Sequence, residues 1–261
     1  MLPPDTVAAL AAELSAAHRQ RTVLPRITAR HPGATVEDSY AVQRAWYQEQ
    51  LDAGRRLAGR KIGLTSRAMQ AATGITEPDY GVILADTVHD TGAVLDFDAH
   101  ANVRIEVELA FLLRRPLEGP HCTLTDVLDA TAYVLPALEV LDSHYELDGR
   151  TIVDTIADNA AYGATVLGGT PVRPDAVDLR RVSALLYRNA VIEESGVAAA
   201  VLDHPARGVA WLADKLHQHG DRLEAGELIL AGSFTRPMWV SRGDTVLADY
   251  GPMGNVACRF Q

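Results

Sequence analysis

Apolar side chains near the start of the chain recur at the spacing of an α-helix. Val7, Leu10 and Leu14 share one face of a helix predicted over residues 5–20, with prolines just ahead of its first turn. The same periodicity returns over residues 36–51 and predicts a second amphipathic helix. The first part of the chain is therefore expected to consist of helices that each offer one apolar face for packing.

The sequence also marks the limits of this helical section. Thr35 is a good N-cap for the second helix, and Gly54 is the kind of residue that ends one. From Arg60 onward the chain changes to short apolar stretches punctuated by Gly, Pro, Asp and Asn, which indicates a sheet-rich body with long loops. We therefore expect an N-terminal helical section over residues 1–55 and a β-rich domain over residues 56–261.

Within the β-rich part, apolar runs predict several strands and one further helix. The run over residues 132–141 contains Pro136, which suggests an edge strand or a bend there. Asn189-Ala190 lies between two short apolar runs and is a plausible hairpin turn, and a helix is predicted over residues 205–219. Three short strands are predicted to close the chain, over residues 228–231, 245–248 and 256–260.

One predicted strand, over residues 102–112, has an unusual polar face. Arg104, Glu106 and Glu108 alternate with apolar residues, as on a strand that packs one face on a core. Two carboxylates two positions apart repel each other unless a cation lies between them. A site for a hard ion such as Mg²⁺ or Mn²⁺ is one interpretation; a solvated face on which the arginine balances the charge is the other. The apolar face carries Val103, Ile105, Val107 and Leu109.

A third glutamate lies inside an apolar run. Glu139 is flanked by hydrophobic residues over 134–141, where an unpaired charged carboxylate would cost several kcal/mol. With Glu106 and Glu108 it would complete a three-carboxylate metal site, and Arg104 could then hold one of the ligands from outside. The alternative is a single buried salt bridge between Glu139 and an arginine.

Two further polar positions are candidates for chemistry. Lys61 lies in a short segment bounded by glycines, where the backbone can approach a ligand closely. A lysine beside a metal site can bind a substrate carboxylate or move a proton, although a solvated lysine at a strand end is the commoner case. Glu77 and Asp79 flank Pro78, and acids in such a turn are usually caps.

Composition and charge exclude several classes of partner. At 261 residues with 48% hydrophobic side chains, the chain can bury a substantial core. Its net charge of −10 argues against nucleic-acid binding, which needs clustered Lys and Arg. No apolar stretch approaches the roughly 18 residues of a membrane span. We therefore expect no nucleic-acid or membrane partner, and a small molecule as the ligand.

The cellular compartment is inferred from the cysteines and the first residues. Cys122 and Cys258 are too few and too far apart to form a disulfide framework or a cysteine metal site. The start of the chain shows no basic segment followed by an apolar run, so we expect no signal peptide. Both observations predict a cytoplasmic protein.

Several longer motifs follow one another in a fixed order over roughly residues 40–260. They are Lys61-Ile-Gly-Leu-Thr-Ser66 with Ala68-Met-Gln70, Pro78-Asp-Tyr-Gly81, Arg104-Ile-Glu-Val-Glu-Leu-Ala-Phe111, Ala137-Leu-Glu-Val-Leu-Asp142, Ala157-Asp-Asn159, His204-Pro205 with Val209-Ala-Trp-Leu-Ala213, and Ala231-Gly-Ser-Phe-Thr-Arg-Pro237.

Together these motifs resemble the 2-oxo acid hydratases and decarboxylases of meta-cleavage pathways, within the fumarylacetoacetate hydrolase superfamily. The resemblance implies an α+β fold, in which a mixed β-sandwich roll of the fumarylacetoacetate hydrolase type follows the N-terminal helical section. It also implies assembly as a homo-oligomer and a metal-dependent enzyme acting in the breakdown of aromatic compounds.

The same resemblance implies roles for individual residues. Glu106, Glu108 and Glu139 would hold Mg²⁺ (or Mn²⁺), and the carboxylate and 2-oxo oxygen of a 2-oxo acid would chelate the ion. Lys61 would anchor the substrate carboxylate or donate a proton, and Asp79 would act as a general base. The roles of these last two residues could be exchanged.

The segment around Gly232-Ser-Phe-Thr235 is most similar to members that hydrate 2-oxohept-4-ene-1,7-dioate. Arg236 would then hold the second carboxylate of such a substrate, since a guanidinium grips a carboxylate with two hydrogen bonds. Arg104 and Ser233 are also expected at the substrate. The alternative for Arg236 is a surface arginine beside a proline.

Three other activities are compatible with parts of this pattern. A decarboxylase of the 4-oxalocrotonate type would use the same metal chelation and lose CO₂. A catalytically silent partner subunit would keep the fold alone, although the three glutamates with Lys61 argue against it. Hydrolysis of a carbon–carbon bond needs a Glu and His pair acting on water, and the histidines are scattered in weak contexts.

Overall fold

The computed structural model of the chain describes residues 1–66, 70 and 77–261. Ala68 and Met69 of the first motif lie outside the described residues. The described part combines helices with two β-sheets, which confirms the expected α+β class. Its helices are α1 (Pro4–Gln20), α2 (Ile27–Arg30), α3 (Val36–Asp52), α4 (Leu124–Ala130), α5 (Ile152–Ala157) and α6 (Pro205–His217).

The two long N-terminal helices form as the periodicity predicted. Thr35 caps α3 in a reciprocal pair, since its Oγ1 accepts a hydrogen bond from Asp38 N at 3.2 Å and Asp38 accepts one from Thr35 N at 3.0 Å. Leu14 of α1 and Trp46 of α3 lie in one buried apolar cluster. None of the described helices has both the length and the apolar character that a membrane crossing requires.

The strands form a larger and a smaller sheet. The larger sheet has the order β2-β1-β10-β5-β6-β7-β3, with β11 also paired to β5, and the smaller has the order β4-β13-β12-β8-β9. The strands are β1 (Leu57–Gly63), β2 (Asp79–Leu84), β3 (Val88–Asp90), β4 (Ala93–Leu95), β5 (Val103–Leu113), β6 (Thr131–Asp142), β7 (Tyr162–Leu167), β8 (Ser183–Arg188), β9 (Val191–Val197), β10 (Leu228–Leu230), β11 (Met238–Trp239), β12 (Thr245–Asp249) and β13 (Asn255–Phe260).

The long antiparallel pair β5–β6 lies in the middle of the larger sheet. Its register places Glu106 directly opposite Glu139 and Val107 opposite Leu138. The apolar face of β5 is fully buried, as predicted, but Glu108 on the opposite face is buried as well. The strand is therefore covered on both sides at Glu108, and Glu106 is only partly exposed, so the two carboxylates do not form an ordinary solvated face.

The expectation that Pro136 marks an edge strand is wrong, because β6 pairs with β5 on one side and β7 on the other. The carbonyl of Pro136 accepts a hydrogen bond from Gly168 N at 3.2 Å. The nitrogen and the carbonyl of one strand residue point to the same side, so the position at which Pro136 lacks an N–H faces the end of β7. Pairing between β6 and β7 begins only at Ala137. The proline removes no hydrogen bond to β5 and is tolerated inside the sheet.

Several local predictions in the β-rich part are confirmed. Asn189 and Ala190 have φ values of 51° and 65° and connect β8 to β9 as a two-residue hairpin. The last predicted helix is α6, and the three closing strands are β10, β12 and β13. The short helices α4 and α5 were not predicted, although each has a Thr–Asp capping box at its start.

Tyr250, just after β12, connects the smaller sheet to the pair β5–β6. Its hydroxyl oxygen lies 2.7 Å from the carbonyl oxygens of both Glu108 and Ala137, and it accepts a hydrogen bond from Ala137 N at 3.3 Å. The phenol carries one proton, so the two carbonyls share it. This buried hydroxyl therefore fixes the backbone on which Glu108 stands.

Replacing Tyr250 by Phe is expected to lower the free energy of unfolding by about 1–3 kcal/mol, because buried backbone groups lose their partner. Urea unfolding measures this change. The control is Tyr133→Phe, since Tyr133 is 46% exposed; its effect should stay within about 0.5 kcal/mol. Equal effects of the two substitutions would contradict the structural role of the Tyr250 hydroxyl.

Candidate metal centre

Three glutamates meet on one face of the pair β5–β6. Glu106 and Glu108 are two positions apart on β5, so strand periodicity directs them to the same side, and Glu139 lies opposite Glu106 on β6. One oxygen from each side chain lies within 4.8 Å of the others. The structure thus brings together the three residues that the sequence analysis selected as metal ligands.

The oxygens of this cluster have few hydrogen-bond partners. Within the described residues, Glu108 Oε1, Glu139 Oε2 and both carboxylate oxygens of Asp79 are buried with no hydrogen bond, and Glu139 Oε1 is paired with the Lys61 ammonium at 3.0 Å. Glu108 Oε2 accepts a hydrogen bond from Gly232 N at 2.8 Å. Buried oxygens without partners are costly, and a hard divalent cation binds carboxylate oxygens of this kind. The donor set therefore fits Mg²⁺ or Mn²⁺.

Lys61 of β1 brings a positive charge to the cluster. Its Nζ lies 3.0 Å from Glu139 Oε1 and donates a hydrogen bond to the carbonyl oxygen of Ala160 at 2.9 Å. Burial alone would lower the pKa of this ammonium, but the surrounding carboxylates, Glu139 first, raise it above its ordinary value. Lys61 is therefore a charged, buried ammonium beside the proposed ligands, and the alternative of a solvated lysine is wrong.

Burial and mutual repulsion raise the pKa values of three carboxyl groups in this cluster. Burial, followed by repulsion from Glu139, raises the pKa of Glu106 to about 8. The same two causes raise the pKa of Glu108 well above its ordinary range. Burial also raises the pKa of Asp79, against the opposing effect of the Lys61 ammonium. A bound dication would oppose these shifts, because it stabilises the ionised carboxylates.

Asp79 is close to Lys61 because of a glycine. It begins β2 and pairs with Gly63 of β1. A Cβ on Gly63 would lie 2.2 Å from Asp79 Oδ1 and 3.3 Å from Lys61 Nζ. Only a residue without a side chain leaves room for the carboxylate here. Gly63, two residues after Lys61 in the sequence, thus permits close approach of a side chain, and Asp79 joins the cluster.

Arg104 lies further along the same face of β5 but does not hold a glutamate. Its Nη2 donates a hydrogen bond to Ser143 Oγ at 2.7 Å, and its guanidinium lies 5.4 Å from the ring centre of Trp239. Its buried Nε has no hydrogen-bond partner within the described part of the chain. Burial lowers the pKa of this guanidinium.

A pocket of about 330 Å³ opens beside Glu106. One wall is the segment 63–66, and another is the loop 233–236 with Glu194 of β9. This volume suits a small organic acid, since ligand pockets begin at about 300 Å³. The pocket therefore leads from the carboxylate cluster to a polar outer end.

Ser233 and Arg236, which the sequence predicted to bind the substrate, lie at this outer end. The Oγ of Ser233 donates towards the carbonyl of Thr235 at 2.9 Å and accepts a hydrogen bond from Thr235 N at 3.1 Å, so it shapes the loop. Arg236 forms an ion pair with Glu194 at 2.8 Å, and its side chain is 78% exposed. Both residues line the pocket, but neither contacts the three glutamates.

Sequence reasoning missed a second buried cluster. The His144 imidazole lies between Asp158, at 3.3 Å, and Asp142, at 3.5 Å, and stacks on His18 with ring centres 3.7 Å apart. An ion binds a ring nitrogen in the plane of the ring, so two stacked rings cannot both direct a lone pair at one ion. Burial is the main cause that lowers the pKa of His18 to about 3. We interpret this cluster as a buried charge network.

Comparisons with known proteins find relatives that match this chain over its full length. The chain is 52% identical to a 2-oxo-hept-4-ene-1,7-dioate hydratase of Escherichia coli, with 100% of both sequences covered. It is 36% identical to a 4-oxalocrotonate decarboxylase of Pseudomonas putida, covering 98% of this chain and 97% of the other. No protein-family profile matches the chain.

Among solved structures, the chain resembles 4-oxalocrotonate decarboxylase from Pseudomonas putida G7 complexed with magnesium and adipate. The TM-score is 0.97 at 34% identity, covering 100% of this chain and 99% of that one. The resemblance inferred from the sequence motifs is thereby confirmed.

Without metal, the free energy of unfolding should fall as the pH rises from about 4.5 towards about 8, the ordinary and the folded pKa of Glu106. Over this range the folded protein keeps a proton that the unfolded chain has lost. The stability that this bound proton contributes is complete below a pH of about 4.5 and is lost as the pH rises through about 8. Urea unfolding with a chelator, in wild type and Glu106→Gln, isolates it as the difference between the two proteins.

The wild type should show the steeper decline, and Mg²⁺ should reduce it, because metal binding displaces the proton. Identical pH profiles for the two proteins would contradict the raised pKa.

Proposed function

The chain belongs to the 2-oxo acid hydratases and decarboxylases of the fumarylacetoacetate hydrolase superfamily, and from that premise we propose that it is a divalent-metal-dependent hydratase. The proposed substrate is 2-oxohept-4-ene-1,7-dioate or its 2-hydroxydienoic form, and water adds across the C4–C5 double bond. The enzyme is then a carbon–oxygen lyase in the breakdown of aromatic compounds. The full-length identity of 52% to a hydratase with this substrate in its name supports this choice over other members.

The observation that carries the proposal is the convergence of Glu106, Glu108 and Glu139 on one buried face, with Lys61 and Asp79 beside them. These glutamates are the proposed ligands. Bound there, Mg²⁺ or Mn²⁺ supplies a Lewis acid for the substrate carboxylate and 2-oxo oxygen. The magnesium in a structural relative of the same family supports this cofactor.

Lys61 and Asp79 are proposed to handle the substrate and its protons. The buried ammonium of Lys61 can anchor the C1 carboxylate or donate a proton to the reacting chain. Asp79, whose pKa burial raises, can accept a proton from water or from the tautomerising carbon. Their proximity through Gly63 lets either residue take either role.

The outer end of the pocket is proposed to bind the distal carboxylate. Arg236 is the proposed partner, with Ser233 shaping the loop that carries it. The exposed guanidinium can exchange Glu194 for a substrate carboxylate, since charge-assisted pairs of this kind are strong and directional. Arg104 has an unpaired buried Nε and is proposed as a further contact to the substrate.

The main alternative is a decarboxylase of the 4-oxalocrotonate type, which the 36% identical relative supports. A decarboxylase would keep the distal carbons dry, whereas a hydratase must admit water there. Glu194, Thr235 and Arg236 make that end of the pocket polar, which is compatible with the water that hydration needs. A catalytically silent partner subunit is disfavoured because all three glutamates and Lys61 are present.

The finer architecture and the setting of the protein are also proposals. We infer that the two sheets form a β-sandwich roll of the fumarylacetoacetate hydrolase type, and that residues 1–55 form a helical section attached to a catalytic domain over 56–261. Homo-oligomeric assembly follows from family membership alone. A cytoplasmic location is supported by Cys122 and Cys258, which are both free.

The assays that test the function use the dicarboxylic 2-hydroxydienoate and, separately, 4-oxalocrotonate, each with Mg²⁺. The hydrated product should form without CO₂. Chelation of the metal or Glu139→Gln should lower kcat/KM at least about 100-fold, because mutating even a residue that only hydrogen-bonds a metal ligand can lower activity by up to about that factor. Glu146→Gln is the matched control, since this glutamate is 54% exposed, and it should leave activity unchanged. CO₂ release without a hydrated product would replace the hydratase by the decarboxylase.

Arg236→Met tests the proposed recognition of the distal carboxylate. Loss of a hydrogen bond to a charged group, worth about 1.5–3 kcal/mol, should raise KM for the dicarboxylic substrate roughly 10- to 150-fold. KM for 2-hydroxypenta-2,4-dienoate, which lacks the distal carboxylate, should not change. Arg181→Met is the control, because this arginine is 88% exposed. An equal rise in KM for both substrates would exclude the proposed contact.

A further inference from the structure

The turn that follows α5 has an unusual backbone. Asn159, Ala160 and Ala161 have φ values of 49°, 53° and 58°, so three residues in a row adopt the left-handed conformation without a glycine. This conformation is unfavourable for residues with a side chain, and it persists only where the surroundings enforce it. Asn159 is the last residue of the motif Ala157-Asp-Asn159, but the proposed function gives it no role.

The side chain of Asn159 holds this turn against β2. Its Nδ2 donates a hydrogen bond to Val82 O at 2.9 Å, and its Oδ1 accepts one from Val82 N at 2.8 Å. The amide therefore bonds to β2 as a neighbouring strand would. Gly81 leaves room for it, because a Cβ there would lie 2.4 Å from the carbonyl oxygen of Asn159.

Two further side chains, those of Asp158 and Gln43, hold the segment that leads into the turn. Asp158 Oδ2 accepts a hydrogen bond from the backbone N–H of His144 at 2.6 Å. Gln43 Nε2 donates to the carbonyls of Tyr80 at 2.8 Å and Ile156 at 2.9 Å, which connects β2 to the helix before the turn. These contacts anchor the residues just before the turn, whereas Asn159 fixes the first residue of the turn itself.

The turn also sets the position of the carbonyl of Ala160, the residue after Asn159. The carbonyl of Ala160 accepts a hydrogen bond from the Lys61 ammonium at 2.9 Å. The same Nζ lies 3.0 Å from Glu139 Oε1. Without this carbonyl, attraction would draw the ammonium in among Glu106, Glu108 and Glu139. There it would occupy the space and satisfy the charge that a metal ion needs.

We propose that Asn159 is a positioning residue: it holds the Ala160 carbonyl where that oxygen keeps the Lys61 ammonium beside the metal position and not in it. This inference rests on the proposed metal site and the proposed role of Lys61. Asn159 touches neither the substrate nor the ion and acts only through the strained turn.

The test is Mg²⁺ binding, measured by titration calorimetry without substrate, in wild type and Asn159→Ala. Loss of the amide should raise the Mg²⁺ dissociation constant about tenfold or more, as expected when one or two buried hydrogen bonds no longer hold a competing cation away. The kcat of hydration should fall by a similar factor, with a smaller change in the substrate KM.

Asn189→Ala is the matched control. Asn189 is also left-handed, with φ 51°, and its side chain also makes two kinds of hydrogen bond, to Asp244 at 2.7 Å and from Thr245 N at 3.0 Å. It lies at the hairpin between β8 and β9. Its loss should leave the Mg²⁺ dissociation constant within about twofold of wild type.

A double-mutant cycle with Lys61→Met separates positioning from general support of the fold. If Asn159 acts through Lys61, adding Asn159→Ala to Lys61→Met should leave the Mg²⁺ dissociation constant unchanged within about twofold. An equal weakening in both backgrounds would mean a merely structural role and would overturn the proposal. If Asn159→Ala does not fold, Asn159→Asp, which keeps the acceptor for Val82 N, takes its place in the cycle.

The outcomes also distinguish this inference from the proposed function. Mg²⁺ binding by wild type that Asn159→Ala leaves unchanged overturns the positioning role alone. Absence of Mg²⁺ binding by wild type overturns the metal site on which both rest.

Discussion

Repulsion among buried carboxylates is the constraint on which the rest of this structure depends. The register of β5 and β6 places Glu106 opposite Glu139, and strand periodicity adds Glu108 on the same face. Asp79 approaches from β2, and several of these oxygens have no partner among the described residues. A protein keeps such an arrangement only where a cation or bound protons offset its cost, which joins the stability of the fold to the occupancy of the site.

The surrounding elements can be understood as supports for this cluster. Tyr250 fixes the backbone of Glu108 from the smaller sheet, and Gly63 leaves the space in which Asp79 and Lys61 meet. The strained turn at Asn159 directs a carbonyl at the Lys61 ammonium. Each support comes from a different element, so the geometry of the site depends on the whole larger sheet and its neighbour.

The pocket divides the proposed chemistry into two regions. At its inner end, Glu106 borders the carboxylate cluster, where the proposed metal ligands would suit the chelating head of a 2-oxo acid. At its outer end, Glu194 and Arg236 make a polar wall that is suited to a second carboxylate and to water. Family membership alone cannot choose between the two reactions, whereas the 52% identity to a hydratase favours hydration.

Local patterns in the sequence were enough to predict the long helices, the closing strands and the candidate ligands. Those features are local: helical periodicity and the Thr35 cap define α3, and alternation on β5 selects Glu106 and Glu108. The single glutamate in the apolar run of β6 stood out because an unpaired buried charge is costly.

How these segments meet depends on the packing of the whole chain. Pro136 was misjudged because the neighbours of a strand depend on distant segments, and the hydrogen bonds that β6 makes to β7 are invisible in the local sequence. Asn159 and the stack of His18 on His144 were missed for the same reason, since each acts on residues far away along the chain. Side-chain chemistry can be assigned residue by residue, but distances between segments follow from the packing of the entire fold.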